Sequence, residues 1–177
     1  MPVSLSHFAS RAGDHNDRAM QATPTLAAVL SERLAVSPTV IGRPQPASPT
    51  NWDRELAAAL PALQQMSPHY DQILSAGKSP VTALSRCAVA LATLPMVAKH
   101  RPDAVVLWFD AHADLNTPDT TETGYLGGLA LSGPLGLWNS GLGAGLTGRR
   151  TILVGTRDID YPEHGLISTS EIALVAV

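Results

Sequence analysis

Six consecutive apolar residues, Ala104 to Phe109 (AVVLWF), stand between Arg101-Pro102-Asp103 and the acidic Asp110. An uninterrupted apolar run of this length suits a strand covered on both faces, and such strands occur in parallel sheets flanked by helices. The neighbouring segments fit that frame. Val3–Phe8, Thr39–Ile41, Pro80–Leu84, Thr151–Val154 and Ile172–Val177 read as further short strands. Between them, Ala19–Ala35 carries Leu26, Val29, Leu30 and Leu34 at helical spacing, and Trp52–Leu74 does the same with Leu56, Leu60 and Leu63. Pro24 inside the first pattern predicts a helix starting there, with Thr23 as N-cap. Pro61 and Pro68 predict two helices or a kinked one, and Gly77 suits its C-terminus. Ala88–Lys99 reads as an apolar helix, Gly124–Leu137 as a glycine-interrupted helix, and Gly133–Gly148 as a loop. Strands alternating with helices predict an α/β fold with a mostly parallel sheet and helices on both faces.

The chain of 177 residues is expected to form a single domain over 1–177. Lys+Arg 12 against Asp+Glu 15 gives a net charge of −3, which excludes nucleic-acid binding driven by overall basic charge. The 45% hydrophobic content argues for a buried core rather than disorder. A single cysteine, Cys87, excludes an intramolecular disulfide framework and a multi-cysteine zinc finger. The start lacks a basic segment followed by an apolar one, and no apolar run reaches membrane-spanning length, so a cytoplasmic protein without membrane contact is expected. The last apolar run has no helix after it to cover the strand it predicts, so the chain reads as cut short at its C-terminus.

Directly after AVVLWF comes Asp110-Ala111-His112-Ala113-Asp114. In extended backbone, the side chains at 110, 112 and 114 point to one side. They would then converge at the carboxyl end of a central parallel strand, where open α/β sheets place their ligands. Two carboxylates and an imidazole suit Mn²⁺, Mg²⁺ or Fe²⁺ better than a structural zinc site, although turn and capping roles would use the same residue types. His7, His15, His69, His100 and His164 show no mutual spacing that suggests a second site. There is no phosphate-binding glycine loop and no serine nucleophile elbow.

WFDAHADLNTP (Trp108–Pro118) resembles the signature of the ureohydrolase family, which comprises arginases, agmatinases, formimidoylglutamases and guanidino-acid hydrolases. TETGYLGGLAL (Thr121–Leu131), VGTRDIDYPE (Val154–Glu163) and VALATLP (Val89–Pro95) are similar to further segments of that family, in the same order. The resemblance implies a three-layer α/β/α fold and a binuclear manganese centre whose hydroxide attacks a guanidinium carbon and releases urea or a related amide. By the same resemblance Asp110 would bridge both metals, His112 would bind one, and Asp114, taken as the catalytic residue, would bind the other. Asn116 and Thr123 match positions that contact the substrate's amino-acid end, and Asp160 matches one that holds a substrate ammonium. The family's subunit assembly implies a homo-oligomer acting on a small guanidino or amidino compound.

Three positions depart from the family pattern. Leu84-Ser85-Arg86-Cys87 stands where the family has Gly-Gly-Asp-His, so Cys87 occupies a metal-ligand position; it reads as a softer ligand or as a small buried residue. Arg86 adds a positive charge beside a site for dications unless it points away. Gly127 stands where arginases carry a proton-shuttling histidine. No Asp-x-Asp-x-x-Asp-Pro motif occurs before Val177. A catalytically inactive family member serving as a binding or assembly subunit is therefore the alternative to a hydrolase. A one-metal deacetylase-like hydrolase is disfavoured because the tandem histidine motif is absent.

Overall fold

The computed structural model describes residues 2–175. β1 (Val3–Phe8), β2 (Thr39–Ile41) and β3 (Ser79–Ala83) form one parallel sheet in the order β2-β1-β3. β4 (Val106–Phe109), β5 (Thr151–Val154) and β6 (Ala173–Val175) form a second, in the order β4-β5-β6. Parallel neighbours need long crossovers, and helices supply them. α1 (Arg18–Leu34) links β1 to β2, α2 (Trp52–Ser75) links β2 to β3, and α3 (Ala90–His100) links β3 to β4. α4 (Tyr161–Thr169) links β5 to β6, whereas β4 reaches β5 through loops and short 3₁₀ turns. The α/β fold with parallel sheets is as the alternation of elements predicts. Among the described residues, however, β3 and β4 do not pair, so two sheets stand where one was expected.

Two cores hold these layers. Phe8, Leu63, Met66, Val89, Leu91 and Leu126 anchor the first, where α2 packs along α3. Ala113, Leu115, Leu131, Leu153 and Ile172 form the second, beneath β4 and β5. The strand-end loop after β4 contributes Ala113 and Leu115 to the second core, and this burial fixes the loop against the sheet.

Several elements differ from expectation for local reasons. α1 begins at Arg18 rather than at Pro24, and the proline lies inside it. Pro24 has no N–H to give the Met20 carbonyl, and the Thr23 hydroxyl donates to that carbonyl instead at 2.9 Å. With its proton spent there, Thr23 Oγ1 accepts from His7 Nε2 at 2.8 Å. A Thr23→Val variant is expected to lose about 1–3 kcal/mol of stability, because it leaves a buried His7 N–H and the Met20 carbonyl unpaired. A lowered urea midpoint would register the loss, and an unchanged one would refute this account of the proline.

Of the two alternatives raised by Pro61 and Pro68, two separate helices are not seen: both prolines lie within one continuous α2, which ends as Gly77 predicts. Gly77 has φ +70°, its N–H bonds the Leu74 carbonyl at 3.1 Å, and the Lys78 N–H bonds that of Ile73 at 3.1 Å. The helix expected over Gly124–Leu137 is reduced to a 3₁₀ turn at Leu126–Leu129 followed by further turns. Gly133 and Pro134, within those turns, disfavour helix. α4 was not anticipated. Of the run Ile172–Val177, residues 173–175 form β6 and residues 176–177 lie outside the described residues.

β4 is not covered on both faces. Trp108 packs into the second core, but Leu107 and Phe109 are 54% and 74% exposed, because nothing among the described residues covers that side of the sheet. Among the described residues, no helix is long and apolar enough to cross a membrane.

Candidate active site

The chain leaves β4 at Phe109 and bends within two residues. Asp110 Oδ1 accepts the His112 backbone N–H at 3.0 Å and lies 3.2 Å from His112 Nδ1. Asp114 has φ +53°, a conformation that aspartate tolerates better than most residues. The extended alternation expected for 110, 112 and 114 is thus broken, yet Asp110 and His112 remain in contact and Asp114 lies within reach of their charges. The Asp114 carbonyl accepts the N–H groups of Leu131 and Ser132 at 3.0 and 3.3 Å, which pins this residue to the second core. Its Oδ2 is buried and has no hydrogen-bond partner among the described residues. Burial first, and then the like charge of Asp110, push its carboxyl up to about 7.

Asp158 runs alongside. The N–H groups of Arg157 and Asp158 both donate to the Ala111 carbonyl, and His112 Nε2 lies 3.8 Å from Asp158 Oδ2. Two residues on, Asp160 Oδ2 accepts from Asn116 Nδ2 at 2.7 Å, while Asn116 Oδ1 accepts from Thr120 at 3.0 Å. Glu163, in the first turn of α4, ties these pieces together. Its Oε1 accepts the Leu115 N–H at 2.8 Å and its Oε2 accepts the Asp160 N–H at 2.9 Å.

Opposite them stand Arg86 and Cys87, which precede α3. Arg86 Nε donates to the buried Asp14 at 3.1 Å, and Ser85 donates to the same carboxylate at 3.0 Å. Arg86 nevertheless lines the cleft, so the pairing with Asp14 does not remove it from the site. Burial raises the Cys87 thiol well above its usual range, and the carboxylates of Asp114 and Asp110 push the same way. Its thiol also donates to the Gly127 carbonyl at 3.6 Å.

These groups enclose a cleft of about 490 Å³. Of the residues singled out in the sequence, His112, Asp114, Asn116, Thr123 and Asp160 line it. Asp110 touches His112 but is not itself part of the lining. The wall also contains His15 and Tyr125, which sequence reasoning missed. His15 Nε2 meets Glu55 Oε1 at 2.5 Å across a separation of 40 residues, and no motif joins the two segments. Asp110, His112 and Asp114 are donors of the types that hold hard divalent ions. Among the described residues, however, no three His, Cys, Asp or Glu side chains are arranged to close around one ion. The loop therefore fits an ion in donor chemistry but does not complete a shell.

Parallel α/β layers with an Asp-x-His-x-Asp loop at a strand's carboxyl end are the arrangement that the resemblance to the ureohydrolase class implies. Residues 17–177 match the Arginase family, and the chain belongs to it. It is 39% identical over 173 residues to an Nω-hydroxy-L-arginine amidinohydrolase of Streptomyces lavendulae, covering 98% of this chain and 63% of the relative. An arginase of Bacillus caldovelox is 30% identical over 120 residues, covering 64% of this chain and 40% of the relative. The fold matches crystal structures of arginases from Bacillus cereus (TM-score 0.79, 23% identity, 98% of this chain and 63% of that one). It also matches the arginase of Entamoeba histolytica in complex with L-ornithine (TM-score 0.80, 21% identity, 98% and 64%). The three-layer α/β/α architecture is shared with these structures. The chain spans under two thirds of the length of these curated relatives.

Proposed function

We propose that the protein is a divalent-metal-dependent hydrolase that cleaves a linear C–N bond of a small guanidino or amidino compound. Asp110, His112 and Asp114 are its metal donors, with Asp114 at the reacting centre and manganese as the favoured ion. The observation that carries this reading is Asp114 Oδ2, a buried acceptor without a partner among the described residues, in the loop that also brings Asp110 and His112. The Cys87 thiol is a weak donor beside this carboxyl, and a buried carboxylate oxygen left without a hydrogen bond suits a cation. A divalent ion held there supplies a water acidic enough to act as a nucleophile near neutral pH.

The rest of the cleft suits a small cationic substrate. Asp158, Asp160 and Glu163 place carboxylates along one wall, and such a surface attracts a guanidinium or ammonium group. Asn116, Thr123 and Asp160 are the proposed substrate contacts. Asn116 holds Asp160 in place, so these two act as a unit. The names of the relatives, an amidinohydrolase and an arginase, support the substrate class. Assembly into a homo-oligomer and a cytoplasmic location belong to the same proposal.

Arg86 favours a second reading. It lines the cleft and brings a cationic side chain, paired with the buried Asp14, to a wall where dications would gather, as suits a catalytically inactive binding or assembly subunit. One experiment separates the two. The chain is loaded with Mn²⁺, freed of excess ion, and incubated with arginine, Nω-hydroxyarginine and agmatine while urea-type products are measured. Metal retention with product release, lost on chelation, is expected. Metal-loaded protein that binds these compounds and releases nothing would establish the inactive subunit instead.

A further inference from the structure

Breaking a guanidino C–N bond requires a proton on the departing nitrogen, because an amide anion is too poor a leaving group. Most titratable side chains lining the cleft are already committed. Glu163 is held by two backbone N–H groups, Asp160 by Asn116 and Arg86 by Asp14, and His112 is a proposed metal donor. Asp114 belongs to the proposed metal loop, and Asp158 lies against His112. Burial holds the Tyr125 phenol protonated, well above its ordinary range. His15 remains.

We propose that His15, oriented by Glu55, delivers that proton, an inference that rests on the hydrolase reading above. Three observations support it. The Glu55 side chain is only 2% exposed, and its carboxylate is fixed by the N–H groups of Leu126 at 3.0 Å and Thr50 at 3.3 Å. A buried, immobilised carboxylate bonded to one nitrogen of an imidazole sets the ring's tautomer and orientation. Because Glu55 takes Nε2, Nδ1 is the atom without a partner among the described residues. The Tyr125 ring also packs edge-on against His15, with centroids 4.9 Å apart.

The third observation concerns Gly127. A Cβ placed there would lie 2.3 Å from Tyr125 Cε1 and 2.6 Å from Cζ, so the tyrosine ring fills the space that a side chain at 127 would need. Glu55 is bonded to Leu126, the residue immediately before Gly127. The Glu55–His15–Tyr125 group is therefore built onto the segment that carries no side chain of its own for this task.

The step balances as follows. Water adds its oxygen to the guanidino carbon, and the C–N bond breaks with its electron pair going to nitrogen. His15 Nδ1, unprotonated at rest, takes one proton from the attacking water and passes it to that nitrogen, and the water's second proton follows as the carbonyl oxygen forms. A guanidinium and water become an alkylammonium and urea. Glu55 is a positioning residue, acting only through His15.

Two measurements on the full chain test this. His15→Ala is expected to lower kcat about 10²–10⁴-fold with KM changed no more than a few-fold, to keep manganese uptake, and to regain part of its activity in free imidazole. Long-range ¹⁵N NMR should show His15 protonated at Nε2 in the wild type and as a tautomer mixture in Glu55→Gln. Wild-type kcat in His15→Ala, or an Nδ1-protonated ring in the wild type, would overturn the assignment while leaving the hydrolase reading intact. A metal-loaded wild type that releases no product overturns both.

Discussion

Replacing Glu163 with alanine is expected to cost about 2–5 kcal/mol of stability, since each buried N–H left without its acceptor costs about 1–3 kcal/mol. The glutamate is 3% exposed, and its two oxygens take the N–H groups of Leu115 and Asp160 at 2.8 and 2.9 Å. Among the described residues, no other side chain is bonded to those two N–H groups. Desolvation of the carboxylate, which raises its pKa, offsets part of the gain from these bonds and keeps the expected loss below the sum of two charge-assisted bonds. Glu163→Gln, with one carbonyl oxygen in place of two acceptors, should fall between wild type and alanine. Thermal denaturation reads the series, at roughly 2–4 °C per kcal/mol for a domain of this size. The exposed Glu122→Ala serves as control. A Glu163→Ala chain as stable as that control would mean that α4 does not brace the loop after β4.

The Glu163 bonds show why part of the fold was legible and part was not. AVVLWF and the short β-branched runs gave the strands because burial acts residue by residue. Asp-x-His-x-Asp was visible because its donors are adjacent in the chain. α4 went unnoticed because it is short and weakly amphipathic. Its signal is chemical rather than periodic: Asp160 precedes the helix, Pro162 opens it, and Glu163 reaches back to the Asp160 N–H. The prolines misled in the opposite direction. Pro24 suggests a helix start, and Pro61 and Pro68 suggest two helices or a kinked one, yet all three lie inside helices, because packing along one face outweighs a lost hydrogen bond, which at Pro24 the Thr23 side chain replaces.

The site divides the same way. His112, Asp114, Asn116, Thr123 and Asp160 share one cleft, and the order of their motifs along the chain anticipated that. His15 and Glu55 could not be found from spacing, since they meet only because α2 begins beside the loop that follows β1. The exposure of Leu107 and Phe109 has a similar origin. The apolar run specifies a strand suited to cover on both faces, but cover is a tertiary property that the run cannot provide.

Asp110→Ala is expected to abolish retention of manganese, whereas His100→Ala should leave it unchanged. Asp110 acts twice in the proposed site. It contributes a carboxylate, and its Oδ1 also holds His112 through both the backbone N–H and Nδ1. Loss of a group that merely orients a ligand weakens metal binding about 10–100-fold, so removing a donor and freeing its neighbour together should exceed that range. His100 provides the contrast because its Nε2 pairs with Asp71 at 2.8 Å at the far end of α3, outside the cleft. Its loss removes an imidazole from the protein without touching the strand-end loop. Metal content after gel filtration, measured for both variants and the wild type, decides the matter. Equal manganese in Asp110→Ala and His100→Ala would place any bound ion away from the loop after β4. Asp114 Oδ2 would then be a buried acceptor with no cation to serve, and the negative wall formed by Asp158, Asp160 and Glu163 would act on a cationic ligand without hydrolysing it.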